Sequence, residues 1–114
     1  MNAVITTHKL DFEVAPWDSE FMKFKIGTCY GLYGYTYENE KPKTLDILAI
    51  QNDQQGNGHF EDVMEWFEWA AKQARVPLRF LEIMNPMLFA HLCTKRGFQP
   101  QISLHQVNAI KTFE

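Results

Sequence analysis

The chain has 114 residues, of which 46% are hydrophobic and 14% aromatic, with a formal net charge of -3 and two cysteines. That length suits one domain, which buries roughly two-thirds of its unfolded surface around a single core. Slight acidity without a basic run argues against a nucleic-acid partner; two cysteines make no disulfide framework, and no apolar run is long enough to span a membrane. No secretion-type pattern opens the chain, so a cytoplasmic protein is expected.

Val4, Ile5, Thr6 and Thr7 favour a strand, and Phe12 and Val14 alternate with Asp11 and Glu13 as in a half-buried one. Pro16 interrupts the pattern. Residues 17–23 predict a short helix capped by Asp18 or Ser19. It reads either as a lid facing a substrate or as a surface connection anchored by Trp17 and Phe21. Residues 24–37 predict one long strand in which Gly27, Gly31 and Gly34 mark a bulge or a close backbone approach. Its aromatic row, including Tyr30, Tyr35 and Tyr37, reads first as cross-strand packing and second as a ligand wall. Residues 38–43 form a polar turn containing Pro42, which makes 24–37 and 44–51 an antiparallel hairpin.

Strand 44–51 places Leu45, Ile47 and Ala49 on one face and Asp46, Leu48 and Ile50 on the other. Asp46 is either a base whose pKa is raised by burial or an ordinary strand-end carboxylate facing water. A loop, Asp53-Gln54-Gln55-Gly56-Asn57-Gly58, leads directly into a helix running to Arg75. Phe60, Val63, Met64, Phe67, Ala70, Ala71 and Ala74 form its apolar stripe. Glu61 and Asp62 in its first turn, and Lys72 and Arg75 in its last, complement the dipole. Trp66 and Trp69 lie off the centre of the stripe. A helix entered from a Gly-rich loop presents unpaired amides and a positive dipole end, the parts of a phosphate site.

Residues 76–84 predict the next strand, with Pro77 at its start. Asn85 and Pro86 suit the cap and first position of a second helix, which Gly97 ends. Ile102, Leu104, Gln106 and Asn108 predict a last strand. The order implies an α+β or α/β fold with one mixed sheet, and the βαβ unit 44–84 makes its two strands parallel. The loop lacks the third glycine of a dinucleotide fingerprint and the Lys-Ser/Thr pair of a nucleotide-triphosphate loop, which disfavours both. A diphosphate held by backbone amides remains. His8, His59, His91 and His105 have no metal-ligand spacing.

Taken together, Gly56 and Gly58 between strand and helix, strand 78–84, Asn85, helix 86–96 and the Gly97-Phe98 pair resemble the core of the GNAT family of acyl-CoA-dependent N-acyltransferases. The resemblance covers about half the chain, residues 44–98. It implies a V-shaped split between strands 44–51 and 78–84 that holds acetyl-CoA. The backbone of Gln55, Gly56, Asn57, Gly58, His59 and Phe60 would take the diphosphate, with Gln54 as a candidate for the role that the family gives to the position of Asp53, unless the Asp53 side chain turns away or cofactor binding is weak. Leu48 and Ile50 would lie on the strand pairing with the pantetheine arm, and Asn85 would touch that arm. Two positions depart from the family pattern. Asp53 stands where the family has Gln or Arg, and a carboxylate about 5 Å from a phosphate costs on the order of 1–3 kcal/mol. Cys93 stands where the family often has the Tyr that protonates the leaving thiolate; a thiol can serve as that acid, and His91 is a second candidate. Asp46 would be the base. The implied reaction is acetyl transfer to a primary amine, on a small molecule or a protein. The alternative is a protein-binding or virion-associated module that keeps the fold without the chemistry. Short chains similar to this one occur in tailed bacteriophages.

Overall fold

The computed structural model describes residues 13–15, 18–54, 56 and 58–113. The expected strand at 4–7 and the residues Phe12, Pro16 and Trp17 lie outside them. Seven strands, β1 (Glu13–Ala15), β2 (Asp18–Ile26), β3 (Cys29–Glu38), β4 (Lys41–Asn52), β5 (Leu78–Phe80), β6 (Gln99–Ile102) and β7 (Val107–Lys111), form one mixed sheet. Its order is β1-β2-β3-β4-β5-β7-β6. Helices α1 (His59–Ala74) and α2 (Pro86–Lys95) complete an α+β fold. No helix among the described residues is long and apolar enough to cross a membrane.

Three local expectations are corrected. Residues 18–23 belong to β2, not to a capped helix, because β2 pairs with β3 from Met22 to Ile26. Segment 24–37 is not one strand: Gly27, at φ 58, turns the chain so that Ile26 pairs with Cys29. The C-terminal strand is two strands, β6 and β7, joined by a turn in which Ser103 N donates to Gln106 O. The β3–β4 hairpin forms as expected, with a tighter turn. Asn39 and Glu40 both have positive φ, as a two-residue hairpin loop requires, and Pro42 falls inside β4.

One hydrophobic cluster joins sheet and helices. Val63, Met64, Phe67 and Ala71 of α1 meet Phe24, Ile26, Leu45, Ile47, Leu78 and Phe80, with Leu92 and Phe98 completing it. Phe67 is central, with ring centroids 4.9 Å from Phe24 and 5.5 Å from Tyr33. Helix α1 ends at Arg75 in the left-handed region, whose N–H returns to the carbonyls of Ala71 and Lys72. Helix α2 starts as its sequence predicts: Asn85 Oδ1 accepts from Met87 N at 2.9 Å and Leu88 N at 3.4 Å, and Pro86 occupies the first turn.

The βαβ unit gives the one parallel pair among the described residues. Leu45, Asp46 and Ile47 of β4 register with Leu78, Arg79 and Phe80 of β5. The pairing stops there: Leu81 N donates to Ile47 O at 2.9 Å, and the next bonds from that chain go to β7. Ile83 N donates to Val107 O at 2.8 Å, and Glu82 N to Asn108 Oδ1 at 2.9 Å. Beyond Phe80 the chain thus turns toward β7, which is why β5 is three residues long rather than the nine expected.

Strand β4 bends at the same level. Leu32 pairs with Leu48 but Tyr30 pairs with Gln51, so Ala49 and Ile50 together face Gly31. Ala49 takes φ 56 in this bulge. The bulge breaks the expected alternation: Ala49 is exposed, while Ile50 packs on the core with Leu45 and Ile47. A Cβ at Gly31 would lie 3.0 Å from the Ile50 Cα, so a side chain there would press on the bulge.

Candidate functional site

The divergence of β4 and β5 leaves a cavity of about 930 Å³ at the carboxyl ends of the two parallel strands. That is where open sheets with parallel strands place ligands. Leu48 to Asn52 form one wall, Phe80 to Asn85 the other, and Met87, Leu88 and His91 of α2 extend it. Gly56, Gly58, Phe60 and Glu61 close the end at the start of α1. Among the described residues, the edge of β4 that faced β5 up to Ile47 has no strand partner beyond it.

The start of α1 is open in the way an anion site needs. Its N-cap, Gly58, has φ 83 and no side chain to accept from the first turn. The first intrahelical bond is Asp62 N to Gly58 O at 3.1 Å, so the amides of Phe60 and Glu61 lie ahead of it. A Cβ built on Gly56 or Gly58 would meet no atom within 4 Å. These glycines answer to backbone conformation and open space rather than to packing.

The residues expected from sequence divide into three groups. Leu48, Ile50, Gly56, Gly58, Phe60, Asn85 and His91 line the cavity. Gln55 and Asn57 lie outside the described residues. Asp46, Gln54, His59 and Cys93 are not among the lining residues.

Asp46 is fully buried on the sheet face opposite Leu45 and Ile47. Its Oδ1 accepts from Arg79 Nε at 2.9 Å, its Oδ2 accepts from Arg79 Nη2 at 3.0 Å, and Thr36 Oγ1 also donates to Oδ2. The reading of a strand-end carboxylate facing water is therefore overturned. The cause is register: β5 sets Arg79 directly beside Asp46. His59 faces the β2–β3 turn, where its Nδ1 accepts from Thr28 N at 3.1 Å and its ring rests against Gly27. Gln54 is exposed, and its carbonyl accepts from Thr28 Oγ1 at 3.3 Å. Cys93 is half-buried on α2.

Asp53 is also drawn aside. Tyr30 OH donates to its Oδ1 at 3.1 Å, its own N–H donates to Thr28 O, and it does not line the cavity. This bond, with the Asp53 charge, raises the Tyr30 pKa above its usual value. His91 stands edge-on to Phe60, 5.6 Å between centroids, with Nε2 3.5 Å from Glu61 Oε1. Glu61 is held more closely by Arg96 Nη1, at 2.7 Å.

Sequence reasoning missed Glu82, Met84 and Met87. All three line the cavity, and the two methionines are 90% and 80% exposed. The signal available was a second charge, after Arg79, inside an otherwise apolar strand and two methionines flanking a helix cap. Among the described residues no group of His, Cys, Asp or Glu can hold a metal ion. Compared with known proteins, the chain matches no family model and no curated protein.

Proposed function

We propose that the chain is a short N-acyltransferase of the GNAT type, cytoplasmic, carrying an acetyl group from acetyl-CoA to a primary amine on a small molecule or a protein. The observation that carries the reading is the split between β4 and β5, which runs into the glycine-lined start of α1. Backbone amides at Gly56 to Glu61 suit a diphosphate. The free edge of β4 at Leu48 and Ile50 suits the amides of a pantetheine arm, as an added strand would. The acyl thioester would then lie toward Phe80 and Leu81.

In that pose the acceptor ammonium gives a proton to water and its nitrogen attacks the thioester carbonyl. The C–N bond forms, the C–S bond breaks, the nitrogen's second proton leaves to water, and the CoA thiolate takes a proton. His91, already lining the cavity, is the proposed donor in place of Cys93. A β4 amide stabilises the oxyanion, and positioning supplies most of the rate. Asp46 is not retained as the base: the Arg79 guanidinium and the Thr36 hydroxyl engage its oxygens outside the cavity.

That same engagement of Asp46, with Cys93 outside the cavity, favours a second reading: a binding or virion-associated module of this fold without chemistry. Calorimetry with acetyl-CoA, then incubation of the protein and labelled acetyl-CoA with cell lysate, separates the two. The transferase predicts micromolar binding and label on an amine, both abolished by Gly56→Glu. Millimolar or no binding, with no label transferred, supports the module.

A further inference from the structure

We infer that the β6–β7 hairpin is the contact surface for a second copy of this chain, joined edge to edge about a two-fold axis at Ile102. The inference is independent of the proposed transfer reaction.

Among the described residues six large hydrophobic side chains are exposed, and five of them, Met84, Met87, Ile102, Leu104 and Val107, gather at this end of the sheet. Ile83 N donates to Val107 O, which brings Met84 alongside β7. Ile102 pairs with Val107, and Leu104 lies in the turn between β6 and β7. Leu104 is 91% exposed and Met84 90%. Apolar side chains grouped in this way mark an interaction surface, whereas scattered ones need no explanation.

Two features select a second copy as the occupant. The first is charge. Residues 99–110 contain no aspartate, glutamate, lysine or arginine, in a chain where such residues make up 22%. About a two-fold axis every charge meets its own sign, so a surface that pairs with itself is uncharged at its centre. A foreign partner is selected through complementary charge, and this surface offers none. The second feature is the backbone. Among the described residues β6 is an edge strand, and it lacks the charges that usually guard one. Ser103 N donates to Gln106 O, while Val107 O accepts from Ile83 on its other side. The Ile102–Val107 pair is therefore the kind whose main-chain groups point away from each other. That turns the N–H and carbonyl of Ile102 to the open edge. Two copies of Ile102 set antiparallel can exchange both hydrogen bonds, as a two-fold axis demands. Pro100, on the same edge, has no N–H and keeps the pairing from extending along the strand.

Sedimentation equilibrium on the full chain, from micromolar to millimolar concentration, is expected to fit a monomer–dimer equilibrium with no larger species. Ile102→Glu and Ile102→Lys should each weaken dimerisation about a hundredfold, because like charges then face each other on the axis. The side chain is 65% exposed, so the circular dichroism of either variant should match that of the native chain. An equimolar mixture of the two variants should dimerise again, a result that only a surface meeting itself can give. Tyr37→Glu, at the β3–β4 hairpin, should dimerise as the native chain does. Hydrogen exchange gives a second reading with no substitution. Exchange of the Ile102 amide should slow as concentration rises, and that of Ser103, already bonded within the hairpin, should not. The inference is overturned if the native chain stays monomeric at millimolar concentration or forms larger open-ended assemblies. It is equally overturned if Ile102→Glu dimerises like the native chain, if the mixed variants stay monomeric, or if the Ile102 amide exchanges at one rate throughout.

Discussion

At Gly27 an added Cβ would lie 2.2 Å from His59 Cε1, and φ there is 58. Both the ring and the backbone conformation oppose any side chain. Gly27→Ala should destabilise the fold by about 1–3 kcal/mol in urea unfolding, and it should loosen the start of α1, because His59 ties that turn to the helix. The opposite sign is expected at Ala49 and Glu82. Both are non-glycine residues at positive φ, and glycine at either should stabilise by about 0.5–1 kcal/mol. Cys29 provides a pH test. Burial pushes its thiol from 9.0 up to about 12. The folded state therefore keeps a proton that the unfolded chain releases. The stability contributed is complete below pH 9 and is lost as pH rises toward 12, at about 1.4 kcal/mol per pH unit. Cys29→Ala should flatten that alkaline limb by one proton in unfolding titrations, whatever it does to stability at neutral pH.

Among the elements, the β4–β5 pair holds the parallel join with only three registered residue pairs, and its centre is an ion pair. Asp46 is 0% exposed and the Arg79 side chain 22%. Removing one partner leaves a buried charge, so Arg79→Met should cost about 3–5 kcal/mol in chemical denaturation. Adding Asp46→Leu to that variant should recover most of the loss, because no unpaired charge then remains. The βαβ unit, the cap of α2 and the apolar stripe of α1 were legible in the sequence because each rests on local rules: periodicity, an Asn-Pro start, a helix-ending glycine. The misread elements depend on partners far away in the chain. Residues 18–23 look helical until β3 is there to pair with them. Strand 78–84 looks long until β7 takes over its hydrogen bonds after Leu81. Asp46 looks like a free carboxylate until the parallel register brings Arg79 beside it. Of the site, the glycine loop and Asn85 were legible. Glu82 was not, because its place in the cleft follows from that handover to β7, which no spacing encodes.

The whole molecule carries a formal charge of -3, and among the described residues the cavity is lined by Glu61 and Glu82 and by no lysine or arginine. A polyphosphate ligand would therefore be held by main-chain amides and helix polarity against a weakly repulsive field. Acetyl-CoA binding should not weaken as salt rises from 20 to about 150 mM, a range over which the screening length falls toward 8 Å. A site built on lysine and arginine would lose affinity steeply over the same range. The most direct test of the central proposal is an amide 15N titration with acetyl-CoA. The amides of Gly56, Gly58, Phe60 and Glu61, with those of Leu48 to Gln51, should shift together and saturate at micromolar ligand, while β1, β6 and the β3–β4 turn stay still. No shift in the loop and β4 amides at millimolar acetyl-CoA, or shifts scattered without regard to the cleft, would contradict it.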